Sequence, residues 1–442
     1  MKVKDHIDLD AIDDTYDVAV IGAGINGAGI VRDLALQGKS VILVDKKDLS
    51  SQTSSKSSKM LHGGIRYLEN YDFDLVFEAL KEKNLWLKLT PHLCYESRFY
   101  MPVYKDSIRP LWMIRLGLFL YDLLSKFEQT RHLLLNKKET IKDVPLLRKE
   151  GLNGSGIYHD AVVDDYRLTI ECLVDAKEIA KEKVQILNHT QANDFKFEND
   201  QVTFKLNDLL TENTRTIKAK DIIFATGPFT DEILNEIPQL KWKNKLIASR
   251  GSHLWLKKDA LDIQSPVVLT PKDGRVIFVI PQKNKVLIGT TEEEHQGDMF
   301  DIKASKNEIG YLLSNIEEYF DVKLNEEDIL SSFSGIRPLV KDESGDNRGK
   351  TARNHKIYQP LQNCYVLLGG KYTTFRVMAK EVCELLLAKR NQTYNSALSK
   401  RPFRFKPYYF PFNITKNNSD IESLILNKEF IRTEEDFKRR MS

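Results

Sequence analysis

A glycine-rich turn between two apolar runs constrains the fold of this chain more than any other feature. The run GAGING at 22–27 matches G-x-G-x-x-G, follows the strand-like YDVAVI, and precedes the helix-like IVRDLALQGK. A second strand-like run, SVILVD, then ends at Asp45. This order predicts a β-α-β unit in which backbone N–H groups and a helix N-terminus face a pyrophosphate.

Each glycine of the motif has a separate physical role. Gly22 permits the tight turn, Gly24 lets the backbone approach the pyrophosphate, and Gly27 allows close packing of helix and strand. Asp45 occupies the place where a carboxylate can bind a ribose 2′-OH, and it would repel a 2′-phosphate. Together with Asn26, these residues form a predicted dinucleotide site that does not by itself distinguish FAD from NAD.

Two distant glycine turns favour FAD. DIIFATG and LLGGKYTT each place glycine at the end of an apolar strand, far along the chain from the first motif. FAD is long, so other segments must hold its ring, and a helix N-terminus can stabilise charge on the reduced ring. The cofactor residues predicted from these turns are Thr226, Gly227, Gly370, Lys371 and Thr373.

Composition excludes several other classes of protein. The 442 residues suffice for two domains, and the net charge of +3 gives no indication of nucleic-acid binding. The four cysteines lie far apart without a CxxC, so we expect no disulfide framework and no metal site. The N-terminus lacks an apolar signal region, and LWMIRLGLFLYDLL is too short to span a bilayer. We therefore expect a cytoplasmic protein.

Longer motifs carry a resemblance to a known family. Taken in order, they resemble the FAD-dependent, aerobic-type glycerol-3-phosphate dehydrogenases, which belong to the D-amino-acid oxidase-like flavoenzymes. The more specific matching runs are TSSKSSKMLHGGIRYLENYDFDLVFEAL, IRPLWMIRLGLFLYDLL, VVDDYRL, RGSHLWL, SGIRPL and GGKYTTFR. The resemblance implies that most of the C-terminal helical domain of the long family members is missing here; because LNKEFIRTEEDFKRRMS resembles the segment near the end of that domain, an internal loss is one interpretation.

The resemblance implies an α/β plus α+β architecture. A Rossmann-like FAD-binding domain would be assembled from separated segments, with an inserted antiparallel-sheet substrate domain and a short helical C-terminal region. The predicted boundaries are 16–90, 151–240 and 355–390 for the FAD domain, 91–150 and 241–354 for the substrate domain, and 391–442 for the C-terminal region. Because the matched motifs precede residue 391, we expect the last region to be dispensable for flavin reduction.

The implied reaction is oxidation of sn-glycerol 3-phosphate to dihydroxyacetone phosphate, with hydride transfer to flavin and electrons passed to a quinone or similar acceptor. His253 is the candidate base because imidazole titrates near neutral pH. Arg337 and Lys371 are candidate cations, and Arg66 and Tyr67 would face the substrate. Structural alternatives remain for three of these residues. His253 could be a histidine at a strand end, Arg337 could form a surface ion pair, and Lys371 could be a solvated lysine at a helix N-terminus.

By the same resemblance, the polar stretch from residue 54 to 64 contributes to the flavin site. Ser54, Ser55 and Ser58 would line the path of FAD beside His62, and the Gly63-Gly64 pair would let the backbone approach the flavin. The alternative for the serines is helix capping and loop solvation.

Other functions remain open at this point. One is a glycerol-3-phosphate oxidase that uses O₂, and another is a related flavin-dependent 2-hydroxyacid dehydrogenase. A third is a non-catalytic flavin-fold protein that binds a membrane or a partner. The amphipathic segment at 108–124 also leaves open peripheral contact with the inner face of the cell membrane, against its alternative as a packed helix.

Overall fold

Short apolar runs form most strands of the chain, and longer amphipathic runs form its helices. The computed structural model describes residues 8–300, 302–341, 355–404 and 418–441. The strands are β1 Thr15–Ile21, β2 Val41–Val44, β3 Met60–Leu61, β4 Cys94–Tyr104, β5 Leu133–Asn136, β6 Leu152–Val163, β7 Val184–Leu187, β8 Thr190–Phe197, β9 Val202–Asp208, β10 Thr214–Phe224, β11 Leu246–Lys257, β12 Val267–Leu269, β13 Ile277–Gln282, β14 Lys285–Gly289, β15 Glu293–Glu294, β16 Ile329–Val340, β17 Lys356–Leu361 and β18 Cys364–Leu368. The helices are α1 Ile25–Leu36, α2 Phe73–Leu89, α3 Leu111–Leu124, α4 Lys137–Asp143, α5 Asp165–Ala180, α6 Thr230–Asn235, α7 Lys306–Tyr319, α8 Phe375–Lys389, α9 Asn418–Lys428 and α10 Glu434–Met441.

The described residues fall into two units. Unit 1 takes its residues from Met1–Ser55, Asp164–Ala248 and Arg337–Ser442, and unit 2 takes its residues from Lys56–Val163 and Ser249–Ile336. The predicted boundaries differ from this division mainly at 56–90 and 151–163, which fall in unit 2. The reason is that β3 and β6 belong to the sheet built around β4.

Unit 1 contains a mostly parallel sheet. Its main order is β17-β18-β10-β1-β2-β7, in which the five strands from β18 to β7 run parallel to one another and β17 pairs antiparallel with β18. The strands β8 and β9 continue from β10 as an antiparallel extension. Helix α1 contacts both α5 and α8, and the buried strand residues form a continuous apolar core. This arrangement is the Rossmann-like α/β fold expected from the sequence.

A ten-stranded sheet carries most of unit 2. Its main order is β15-β11-β14-β13-β12-β4-β6-β3, with β16 beside β11 and β5 beside β6. Pairing is antiparallel along the sheet except between β12 and β4. The central strands are buried on both faces: one set of their side chains forms a core cluster with α7, and a second set forms a cluster with α2 and α3. The predicted antiparallel sheet is therefore present.

Candidate active site

Unit 1 brings the three glycine turns of the sequence to one edge of its sheet. The first motif follows β1, the turn at 225–227 follows β10, and Gly369-Gly370 follows β18. Parallel strands have their carboxyl ends at the same edge, and β1 and β10 lie at the point where the strand order reverses. Open α/β sheets bind their ligands in the crevice at such a point.

The glycines of the first motif are required by close contacts. Gly22 has φ +105, and a Cβ atom there would lie 2.6 Å from the carbonyl oxygen of Ala225. A Cβ on Gly27 would lie 1.9 Å from the carbonyl oxygen of Gly22. The turn after β10 is therefore packed against the first motif, which joins two of the segments that the sequence suggested would act together.

Asp45 lies directly after β2 and is tied to the same turn. Its carboxylate accepts hydrogen bonds from the backbone N–H of Ala23 at 2.7 Å and of Lys47 at 2.9 Å. Burial raises the pKa of Asp45 to about 6, although both N–H donors act to lower it. The carboxylate is thus positioned beside the glycine turn, where a ribose hydroxyl would meet it.

The raised pKa of Asp45 predicts a pH-dependent affinity for FAD. A ribose hydroxyl donates to the ionised carboxylate, so binding should weaken as pH falls below about 6, approaching tenfold per pH unit. Fluorescence titration of apoprotein with FAD between about pH 5 and about pH 8 measures this dependence. An Asp45→Asn variant should bind FAD more weakly at neutral pH, and its affinity should not fall further at acid pH. An equal fall of affinity at acid pH in that variant would contradict the role of Asp45 in binding the ribose.

The serines after the first motif have local partners. Ser54 Oγ accepts the backbone N–H of Ile25 at 2.8 Å, which caps the N-terminus of α1. Ser55 Oγ donates to the carbonyl of Gln52 at 3.1 Å. Helix capping, the structural alternative, therefore describes Ser54, and contact of either serine with FAD stays a prediction.

The residues at this edge fit a dinucleotide. Asn26, in the first turn of α1, has a buried Oδ1 atom that lacks a hydrogen-bond partner within the described residues. A buried amide oxygen normally has a partner, and a ligand hydroxyl or amide would supply one. The three glycine turns allow close backbone approach, and the N-terminus of α1 favours phosphate.

In unit 2, His253 is held from three sides. It lies on β11 and is 2% exposed, and its Nε2 atom is 2.9 Å from Ser58 Oγ. Its ring stacks on Phe333 with centroids 4.9 Å apart, and a Cβ on Gly289 would lie 2.1 Å from the ring. A glycine on the neighbouring strand therefore makes room for the imidazole, whose orientation is fixed.

The turn at Gly63 is hydrogen-bonded to the buried carboxylate of Asp160. Its N–H donates to Asp160 Oδ1 at 3.2 Å, and the same oxygen accepts from Tyr121 at 2.8 Å. Lys83, which is completely buried, lies 3.6 Å from Asp160, and burial raises the pKa of this carboxyl to about 6. A Cβ on Gly63 would lie 2.4 Å from Leu80 and Tyr121, so packing within unit 2 also requires this glycine.

The residues around this turn differ in exposure. Arg66 is exposed, whereas Tyr67 is buried, with its ring centroid 6.4 Å from that of His62. Gly64 has φ +74, and a Cβ there would meet the Tyr67 ring at 2.2 Å. Tyr67 therefore packs over the glycine pair, and the roles of these residues toward substrate and flavin stay predictions.

The remaining predicted site residues lie in unit 1. Arg337 is half-buried on β16, and Lys371 is half-buried after the third glycine turn. Thr373 is buried in the helical turn that precedes α8, and Thr226 Oγ1 lies 2.8 Å from Thr230 Oγ1. The grouping of Arg337 and Lys371 with His253 around one substrate stays a prediction.

Several buried polar contacts in unit 2 could not be predicted from the sequence. Ser252, next to His253, donates to Glu308 Oε1 at 2.7 Å, and Thr291 donates to the same oxygen at 2.7 Å. Burial alone would raise the pKa of Glu308, but these hydrogen bonds and the nearby Arg250 lower it. The link between Ser58 and His253 was also unexpected, since Ser58 was assigned to FAD. No local pattern pairs residues this far apart in sequence.

Comparisons with known proteins agree with this geometry. The model of the family described as FAD dependent oxidoreductase matches residues 17–385. The chain is 33% identical over 401 residues to the "Aerobic glycerol-3-phosphate dehydrogenase" of Staphylococcus aureus (strain USA300), covering 90% of this chain and 71% of the relative. The protein of that name from Staphylococcus haemolyticus (strain JCSC1435) is 34% identical over 399 residues, covering 89% of this chain and 70% of the relative.

Solved structures give the same result for the fold. The glycerol-3-phosphate dehydrogenase from Bacillus halodurans, complexed with FAD, is similar with a TM-score of 0.71 and 28% identity, over 88% of this chain and 68% of that one. The L-alpha-glycerophosphate oxidase from Mycoplasma pneumoniae, with FAD bound, has a TM-score of 0.68 and 21% identity, over 90% of this chain and 100% of that one. At that identity the second likeness concerns the fold alone.

Proposed function

The chain belongs to the FAD dependent oxidoreductase family, and from this premise we propose that it oxidises sn-glycerol 3-phosphate to dihydroxyacetone phosphate. The observation that carries the proposal is the identity to the Staphylococcus dehydrogenases along nine-tenths of the chain. FAD, when bound, supplies the acceptor for the hydride from C2 of the substrate. The chain itself must bind the phosphate, orient C2 and accept the proton of its hydroxyl.

The pair formed by His253 and Ser58 supports the proton step. The imidazole is buried, stacked and hydrogen-bonded, so it offers a fixed acceptor whose ordinary pKa is near neutral. In the proposed reaction, the C2 hydroxyl proton passes to this imidazole as the hydride leaves C2. Ser58 keeps the ring oriented through Nε2.

Fixed cations would bind the phosphate. Arg337 offers planar, bidentate donors suited to phosphate, and the following Pro338 stiffens its strand. Lys371 stands before the first turn of the helix that leads into α8, where positive charge can compensate an anion. Arg66 is exposed and therefore accessible to a small anionic substrate.

Replacement of Arg337 should reveal its role in reading the substrate's charge. A hydrogen bond to a charged group contributes about 1.5–3 kcal/mol, so Arg337→Met should lower kcat/KM for sn-glycerol 3-phosphate by about ten- to a hundredfold or more. Glycerol, which lacks the phosphate, should lose much less, and flavin content should stay normal. Equal losses for both compounds would show that Arg337 acts on the reacting hydroxyl, and loss of flavin would show a structural role.

We further propose that a quinone or similar acceptor receives the electrons. The support is the dehydrogenase name of the more similar relatives, against the oxidase name of a relative that shares only the fold. With sn-glycerol 3-phosphate and a soluble quinone, quinone reduction should far exceed formation of hydrogen peroxide. Stoichiometric peroxide without added acceptor would favour the oxidase alternative instead, and no turnover of this substrate with either acceptor would overturn the main proposal.

We propose that helix α3 contacts the surface of the membrane that holds the quinone. One face of this helix is buried through Ile114, Leu118 and Tyr121, and the opposite face is apolar but exposed. Trp112 is 69% exposed and Leu116 53%. None of the described helices is both long and apolar enough to cross a bilayer. The exposed stripe beside Arg115 instead suits the interface of an anionic membrane.

Sedimentation with anionic vesicles tests this contact. The double variant Leu116→Glu and Phe119→Glu should lose most of the vesicle binding of the parent protein, because two charges would enter the apolar interface. Leu385→Glu, at a position on α8 that is 50% exposed, is the matched control and should bind normally. Equal binding by all three proteins would contradict the proposal.

A further inference from the structure

The C-terminal helices are built into unit 1 rather than lying loosely on it. Ile425 and Glu429 are completely buried, and Arg440 is 1% exposed. The segment from Ile421 to Met441, called here the C-terminal clamp, carries the short helices α9 and α10. The expectation that the chain after residue 390 is dispensable for flavin reduction stays a prediction, because these contacts concern the packing of unit 1.

The contact between Arg440 and Asp48 restricts the geometry of its two partners most. Arg440 Nη1 and Nη2 donate to the two carboxylate oxygens of Asp48, each at 2.7 Å, and both side chains are almost completely buried. Arg440 also donates to the hydroxyl of Tyr166. A planar, two-pronged bond of this kind fixes the direction of both partners as well as their distance.

Three further ion pairs hold the clamp to the same region. Glu429 accepts two hydrogen bonds from Arg167, at 2.6 and 2.7 Å, near the beginning of α5. Arg432 pairs with Asp208 at 2.6 Å, and Asp436 lies 2.9 Å from His189. The clamp therefore contacts the segments that follow β2 and β7, the last residue of β9 and the beginning of α5.

The ion pairs also argue against a metal at this place. Among the described residues, Asp48, His189 and Asp436 lie close enough together to hold a cation. However, Arg440 takes both oxygens of Asp48, and Arg439 lies 3.2 Å from one of them. Guanidinium groups already supply the positive charge that a metal would bring.

Asp48 connects the clamp to the cofactor edge. It lies three residues after Asp45, in the loop from Asp45 to Ser50. At one end of this loop, the Asp45 carboxylate accepts the N–H of Ala23, and at the other end the N–H of Ser50 donates to the carbonyl of Ala23 at 3.0 Å. The loop is thus bound to the first glycine turn at both ends and to Arg440 in between.

We propose that Arg440, acting through Asp48, is a positioning residue for FAD. It holds the loop from Asp45 to Ser50 in the conformation that presents the Asp45 carboxylate to the ribose. None of the hydrogen bonds that Arg440 makes within the described residues reaches the glycine motif or Asp45, so its effect is transmitted along three residues of backbone. The proposal rests on FAD binding and not on the identity of the substrate.

The test measures FAD affinity and thermal stability together. Apoprotein of Arg440→Met should bind FAD about ten- to a hundredfold more weakly by fluorescence titration, because the loop is no longer held in the binding conformation beforehand and must be ordered when FAD binds. Arg440→Lys should recover part of the affinity. Lys428→Met is the matched control: it breaks an exposed ion pair of the clamp with Glu178 and should bind FAD normally.

A double variant separates positioning from stability. Arg440→Met alone leaves the Asp48 charge buried, so its Tm should fall, and Asp48→Asn with Arg440→Met should restore much of the Tm by removing that charge. The double variant should nevertheless bind FAD weakly, because the middle of the loop lacks the two-pronged bond that fixes its direction. Recovery of FAD affinity along with Tm would overturn the proposal, as would unchanged affinity in Arg440→Met. If Arg440→Met does not fold, Arg440→Lys and the double variant decide the question.

Discussion

Replacing His253 with Asn should lower kcat/KM for sn-glycerol 3-phosphate by about a hundred- to ten-thousandfold, the range of a lost general base. In the proposed reaction the buried, oriented imidazole accepts the hydroxyl proton, and an amide cannot take its place. Asn is smaller than the ring and adds no volume to the buried site, so the fold and flavin content should be preserved. Steady-state kinetics with flavin-normalised enzyme measure the loss.

The pH dependence of kcat/KM shows whether His253 acts as a base or only packs in the core. The parent enzyme should lose kcat/KM at acid pH as the imidazole becomes protonated, and the variant should lack this limb. Ser58→Ala, which removes only the partner of Nε2, should retain the limb with a smaller loss. Activity within tenfold of the parent, at equal flavin content, would show that His253 is structural.

Replacing Gly27 with Ala should weaken FAD binding by about a hundredfold or more. The added Cβ would lie 1.9 Å from the carbonyl oxygen of Gly22, so the backbone of the turn must move. That displacement moves the N-terminus of α1 and the backbone N–H groups away from the pyrophosphate, which loses several charge-assisted hydrogen bonds. The flavin-to-protein ratio after purification, and titration of apoprotein with FAD, measure the effect.

Gly310→Ala is the matched control for this prediction. Gly310 lies within α7, and an added Cβ there meets nothing within 4 Å. Alanine favours a helix over glycine, so the control should fold and bind FAD as the parent does. If Gly27→Ala retains full flavin, the glycine motif does not bind the pyrophosphate.

The sequence was most informative where structure is local. Apolar runs ending in glycine predicted β1, β10 and β18, and the rule that parallel strands share a carboxyl edge brings their turns together. The position of Asp45 beside the first glycine turn could be predicted, because it depends only on the end of β2. Features fixed by strand pairing and backbone sterics therefore follow from short stretches of sequence.

Contacts between distant charged residues could not be predicted. Arg440 and Asp48 are separated by 392 positions, and a basic, weakly apolar end of the chain resembles a solvated helix. His253 and Ser58 are 195 positions apart, and neither carries a pattern that indicates the other. A charged side chain can form ion pairs of similar free energy with many other residues, so only the folded structure determines which partner it has.

The most direct test of the proposed function is the absorbance spectrum of the FAD-loaded protein under anaerobic conditions. Addition of sn-glycerol 3-phosphate should bleach the flavin bands and form one dihydroxyacetone phosphate per flavin, whereas glycerol at the same concentration should bleach them far more slowly. A protein whose flavin is reduced by dithionite but stays oxidised with sn-glycerol 3-phosphate would contradict the account.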